Sequence, residues 1–167
     1  MNIGLISDTH GHMDNVILKS LSDCDEIWHA GDWGDVSVAD QLSEIAPLRG
    51  VYGNIDDEQI RGRYPLDERF DFAGVDVWIS HIVGRPGRYE SRVNRVLKEK
   101  PPGLLICGHS HILHVEEDKK NSLRYINPGA AGHHGLHTIR TIMKIQISDG
   151  EISRIRVLEL GTRGKRK

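Results

Sequence analysis

The chain has 167 residues, 22 Lys and Arg against 24 Asp and Glu, a net charge of −2 and 38% hydrophobic residues. Such a composition fits a globular domain with a real core and gives no reason to expect a polyanion-binding surface, so no specific nucleic-acid binding is expected. No apolar run reaches the length of a membrane span or a signal sequence, so a cytoplasmic protein without a membrane partner is expected.

In chain order, NIGLIS reads as a short buried strand stopping at Asp8, followed by a helix from Asp14 to Leu21 with Asp14 as its cap. DEIWHAGDWG is a second strand ending at Gly31-Asp32, Val36 to Ile45 a helix halted before Pro47, and LRGVYGN a third strand ending at Gly53-Asn54. This alternation predicts a parallel sheet with crossover helices. FDFAGVDVWISH then reads as two strands around Ala73-Gly74, the second ending at His81. Tyr89 to Lys100 has a helical apolar stripe, and LLICGHSH is a further strand. ILHVEED and SLRYINPG form a hairpin, and TIMKIQIS and EISRIRVLEL form another across Asp149-Gly150. Met143, Ile145 and Ile147 alternate with polar residues, so one face of that strand is buried. The pattern predicts one mixed α/β domain over residues 1–160, two facing sheets with helices outside, and a frayed basic tail over 161–167.

The chemistry sits at the strand ends. Asp8, His10, Asp32, Asn54, His81, His109 and His111 all lie at the carboxyl ends of five separate strands, where open α/β sheets collect ligands. Singly, most of these residues are ordinary turn or cap chemistry. The pair in GHSH is harder to explain structurally. Seven oxygen and nitrogen donors exceed one zinc-type site and suit two ions sharing a carboxylate. Imidazole with carboxylate favours a transition metal over calcium or magnesium. Two divalent ions, two carboxylates and a bridging hydroxide leave a centre of roughly +1, which attracts a phosphate.

Taken together, DTHG, GD, GN, an isolated His and GHSH resemble the calcineurin-like metallophosphoesterase superfamily, and the short chain with its INPGA segment resembles the YfcE-type phosphodiesterases within it. The resemblance implies a four-layer αββα sandwich of two mixed sheets flanked by helices, with the single domain being the phosphoesterase domain. It assigns Asp8, His10 and His111 to one metal and Asn54, His81 and His109 to a second, with Asp32 bridging. Asp32, Asn54 and His81 are then the catalytic residues. The implied cofactor is a pair of divalent ions, manganese first, with nickel, iron or zinc as alternatives. The implied activity is hydrolysis of a small phosphodiester by a metal-bridging hydroxide, in a chain compatible with a homo-oligomer. The alternatives are a phosphomonoesterase acting on a small metabolite, or a protein-binding scaffold like the retromer subunit that resembles this fold with a degraded metal site.

One position departs from the wider superfamily. Many members carry Gly-Asn-His near the leaving group, whereas this chain has Gly53-Asn54-Ile55-Asp56, and isoleucine donates no proton. Asp56 is read as fixing the Asn54 turn, and Asn127 as setting a turn near the site. Arg61, Arg63, Arg85 and Arg88 are read as solvated loop arginines within reach of a phosphate, and no substrate-binding residue is assigned. GHHGLH, from Gly132 to His137, is read as a polar loop rather than a further metal cluster, with His12, His133 and His134 as candidate alternative proton donors. Cys107 is read as core, and neither it nor Cys24 belongs to a disulfide framework.

Overall fold

In the computed structural model, which describes residues 1–164, β1 (Asn2–Ile6) leads to α1 (Asn15–Leu21), β2 (Glu26–His29) to α2 (Val36–Ser43), and β3 (Leu48–Gly50) to α3 (Glu58–Arg63). Each helix starts on an aspartate whose carboxylate accepts from free first-turn amides: Asp14 from Ile17 N, Asp35 from Ser37 N, and Asp57 from Gln59 and Ile60 N. The third helix has no counterpart in the sequence reading. It has six residues and only Ile60 buried, so it offers no apolar period to detect. Arg61 and Arg63 therefore sit on a helix, not in a loop.

β4 (Asp67–Phe72) and β5 (Val75–Ser80) form the hairpin about Ala73-Gly74, both at positive φ. A two-residue hairpin of β6 (Gly84–Arg85) and β7 (Arg88–Tyr89) follows, then α4 (Ser91–Glu99) and β8 (Leu104–Ile106). Arg85 and Arg88 are thus cross-strand partners in that hairpin. β9 (Leu113–Asp118) pairs with β10 (Leu123–Pro128), and β11 (Ile139–Ser148) with β12 (Glu151–Thr162), each antiparallel.

The first sheet has the order β12-β11-β1-β2-β3 and the second β4-β5-β8-β10-β9. Three adjacent strands are parallel in each, β1-β2-β3 at one side of the first sheet and β5-β8-β10 in the middle of the second, and the remaining strands pair antiparallel. Between the sheets lies a core of Leu5, Trp28, Val77, Ile106, Met143 and Ile145. A second core packs Ile17, Leu21, Val38 and Leu42 of the helices under the outer face of the first sheet, against Ile6 and Ile27. A third packs Val93 and Leu97 of α4 on Leu105 and Tyr125 of the other sheet. The result is the four-layer αββα sandwich. Cys107 is buried in the third core, where burial pushes its thiol up to about 12, so it stays protonated.

Residues 161 and 162 of the expected tail belong to a strand. β12 continues through Thr162, because Ile139 and Arg140 offer ladder partners to Thr162 and Gly161. Arg163 then donates its amide to Thr138 O (2.9 Å) and its Nε to His137 O (2.7 Å). Residues 165–167 of that expectation lie outside the described residues. Among the described residues, no helix is long and apolar enough to cross a membrane.

His29, at the end of β2, shows how burial sets protonation near the site. It stacks on Trp33 with 3.7 Å between ring centroids, its Nδ1 accepts from Gly31 N (3.1 Å) and its Nε2 faces Thr9 Oγ1 (3.0 Å). That network holds a neutral ring, and burial keeps its pKa well below the usual histidine value. Unfolding lets the ring take a proton once the pH drops below about 6.5. The stability this residue contributes is therefore complete above that pH and is lost as the pH falls below it. Urea midpoints at pH 7.5 and 5.5 should show a smaller drop for His29→Gln than for the wild-type chain. An equal drop in both would assign the pH dependence to other groups.

Candidate metal centre

All seven strand-end residues come together at one end of the sandwich. Asp8 is fully buried beyond β1, with Oδ2 accepting from Ser7 Oγ (2.7 Å) and from His109 N (3.1 Å). Its Oδ1 has no hydrogen-bond partner and lies 3.2 Å from His111 Nε2 and 4.0 Å from His10 Nε2. Asp32 Oδ1 accepts from Ile55 N (3.1 Å), while Oδ2 points at His81 Nε2 (3.2 Å) and His10 Nε2 (3.5 Å). Asn54 Oδ1 lies 3.1 Å from His81 Nε2 and 3.0 Å from His109 Nδ1. Two compact donor groups result, Asp8 with His10 and His111, and Asp32 with His81 and His109.

His81 tests whether this arrangement fits a cation. Its Nδ1 donates to Ala30 O at 2.7 Å, which puts the ring proton on that side. A neutral His81 then turns the lone pair of Nε2 toward Asn54 Oδ1 and Asp32 Oδ2, three acceptors face to face. Such a contact is repulsive unless a positive charge sits between them, either a proton or a metal ion. Burial opposes a proton on His81, yet the carboxylates of Asp32 and Asp8 raise its pKa above the ordinary value. Burial also works against ionisation of Asp32, but the contacts with His81, the Ile55 amide and His10 together lower its pKa. The orphaned Asp8 Oδ1 and His10 Nε2 make the same demand on the other side. The donor set fits divalent cations.

The backbone carries the cost of this convergence. Asp8, His10, Asp32, His109 and His111 all have φ between 46° and 70°, in the left-handed region. That conformation costs roughly 1–2 kcal/mol for a residue with a Cβ, and such strain concentrates at functional sites. Sequence reasoning cannot see this, because glycine is the residue that signals positive φ.

A model of the calcineurin-like phosphoesterase superfamily domain matches residues 1–150. The chain belongs to that superfamily. A probable metallophosphoesterase of Methanocaldococcus jannaschii is 27% identical over 157 residues, 89% of this chain and 77% of the relative. A phosphodiesterase of the same archaeon is 28% identical over 140 residues, covering 77% and 83% of the two chains. Among solved structures, an archaeal phosphodiesterase aligns with a TM-score of 0.75 at 25% identity, over 95% of this chain and all of that one. Chaetomium thermophilum Vps29 aligns with a TM-score of 0.75 at 17% identity, over 98% of this chain and 100% of its own, a likeness of fold alone.

For a phosphoesterase of this family, the residues around the ligands have definite jobs. Asp56 bonds Gly53 N (2.7 Å) and Gly34 N (2.9 Å), so it ties the Asn54 turn to the Asp32 turn. Asn127 donates to Gly108 O and Ser110 Oγ, both at 3.0 Å, and its Oδ1 accepts from Gly129 N, which pins the GHSH turn. The segment from Gly132 to His137 is a loop, as expected, but not a remote one. His134 stacks on His10 (4.7 Å between centroids) and His137 meets His111 edge-on (5.2 Å). His12, Asp14 and His133 cluster separately. There, Asp14 Oδ2 already accepts from His12 (2.8 Å) and Arg140 (2.9 Å), and a guanidinium in that place opposes a cation. Arg63 faces away and pairs with Asp40 at 2.6 Å.

A cleft of about 300 Å³ opens over the centre, lined by His10, Asp32, Asn54, Ile55, His109 and His134. Ile55 is 46% exposed there. Gly53 is required by close approach. A Cβ at that position would lie 2.0 Å from Asp32 Oδ1 and 2.4 Å from Asp32 N. Gly53→Ala must therefore displace Asp32. We expect a folded protein with metal affinity weakened ~10–100-fold, the size of effect seen when a ligand loses its support. Titration of metal into the apo variant, with circular dichroism as the fold control, checks this; wild-type affinity would show that Asp32 tolerates the shift.

Proposed function

We propose that this phosphoesterase is a dinuclear metal-dependent phosphodiesterase. Asp8, His10 and His111 would hold one cation, Asn54, His81 and His109 the other, and Asp32 both. When bound, two such ions supply Lewis acidity to the phosphoryl oxygens and acidify a water for use as nucleophile. The chain's own part is positioning. Ala30 O fixes the His81 tautomer so that Nε2 keeps its lone pair toward the centre. Ile55 N holds Asp32 through Oδ1, leaving Oδ2 turned to His10 and His81. The backbone amide of His109 and the Ser7 hydroxyl hold Asp8 through Oδ2, leaving Oδ1 free.

The observation that carries this reading is the convergence of the seven donors into two adjacent groups, with buried Asp8 Oδ1 and His10 Nε2 left without hydrogen-bond partners. The phosphodiesterase relatives favour a diester over a monoester. The second reading is a protein-binding scaffold, which the shared fold permits but does not by itself favour. A complete donor set supports catalysis over that alternative. Metal analysis of the purified protein, with paired diesters and monoesters assayed under manganese, nickel, iron and zinc, separates the readings. Two ions per chain and faster diester turnover are expected. Metal binding without turnover of either ester class would favour the scaffold.

A further inference from the structure

Beside the metal cleft lies a second, larger cavity of about 570 Å³. Asn54 lines both, so the two meet at a candidate metal ligand, and His81 also borders the larger one. A phosphoryl group needs none of this extra space. Cavities of ~300–1,000 Å³ enclose whole small organic molecules. An ester group attached to a phosphorus seated over Asn54 and His81 would enter this cavity.

Its walls describe that group. Leu66 and Ile82 are aliphatic, and Leu66 is 45% exposed, an apolar side chain left to water at the mouth of a pocket. Tyr52 and Arg61 form a flat wall, with the guanidinium carbon 4.6 Å from the ring centroid. Arg61 is anchored by carbonyls, through Nε to Asp56 O (2.8 Å) and Nη2 to Asn54 O (3.4 Å). A planar cation layered on an aromatic ring presents a surface suited to stacking. Arg92 contributes shape rather than charge, since Asp67 neutralises it at 2.9 and 3.0 Å and Ser80 holds it at 2.6 Å. Glu90 also lines the cavity, so with Arg92 paired to Asp67 the formal charges of its walls cancel and do not call for a second anion.

We propose that this cavity is the ester-group subsite, that it selects a phosphodiester bearing one uncharged flat aromatic or heteroaromatic group, and that Leu66 and Arg61 set this specificity. The inference rests on the phosphodiesterase reading above and names its substrate class. It identifies a substrate-contacting residue, Arg61, that the sequence reading left among solvated arginines.

The test is equilibrium binding by calorimetry to the manganese-supplied protein, using benzyl(methyl)phosphinate and dimethylphosphinate. Both carry the single negative charge of a diester and have P–C bonds in place of its two ester linkages, so neither has a leaving group. The benzyl compound should bind at least ~10-fold more tightly, the return from burying one ring. Leu66→Trp, which fills the cavity from an exposed position, should bring the ratio of affinities near one, and Arg61→Ala should lower it several-fold. A wild-type ratio near one, or a ratio unchanged in both variants, overturns the subsite while leaving the phosphodiesterase reading intact. Failure of both phosphinates to bind the wild-type protein overturns that reading and the subsite with it.

Discussion

Asp32→Ala should reduce phosphodiester hydrolysis to background and lower the metal content from two ions per chain to at most one. Asp32 reaches histidines of both donor groups through a single oxygen, Oδ2, at 3.5 Å from His10 and 3.2 Å from His81, closer than Asp8 Oδ1 comes to either (4.0 Å). Removing it leaves His81 with its lone pair toward Asn54 and its nearest carboxylate oxygen, Asp8 Oδ1, 4.0 Å away. The fall in kcat/KM should exceed the ~10²–10³-fold typical of losing one electrostatic contact to a transition state, because a whole binding site goes with it. The side chain is buried but bonded only through Ile55 N and the histidines, so the fold should survive. Elemental analysis of the metal-replete variant beside wild type is the decisive measurement. Two ions in the variant, or no more than one in the wild type, would sink the dinuclear model.

The second large effect concerns the leaving group. Ile55 occupies the cleft wall where many relatives of the wider superfamily place a histidine, and it has no proton to give. General acid assistance is typically worth ~10²–10⁴-fold, or roughly 3–5 kcal/mol of barrier. That deficit falls on alkoxide leaving groups and barely on nitrophenolate, which departs without a proton. Aryl diesters should therefore turn over well and dialkyl diesters poorly, with a steep dependence of rate on leaving-group pKa. Among the alternative donors, His134 lines the cleft, whereas His12 and His133 pack against each other beside Asp14. A rate nearly independent of leaving-group pKa, with chemistry rate-limiting, would show that His134 or another group supplies the proton. Ile55→His is the complementary experiment. The side chain is half exposed, so the imidazole has room, and alkyl substrates should gain selectively.

The ligand residues were legible in the sequence because strand ends are. A short apolar run that stops on Asp, Asn or His, at three of the five ends beside a glycine, marks both the end of the strand and the group it presents. Five such endings in one chain mark Asp8, Asp32, Asn54, His81 and His109, and the alternation of strand and helix predicts the layered sheets around them. What lies between such endings was not legible. The helix carrying Arg61 is too short and too polar to show a period. The cavity beside Asn54 is assembled from Tyr52, Leu66, Ile82 and Arg61, which share no pattern along the chain. The tautomer of His81 depends on Ala30 O, 51 residues away, and the left-handed backbone of five ligands depends on turns packed against one another. Local patterning along a strand thus determined which side chains carry the chemistry. Contacts between residues far apart in sequence decided how those side chains are held, protonated and surrounded, because no period or spacing along the chain records which distant turns will meet.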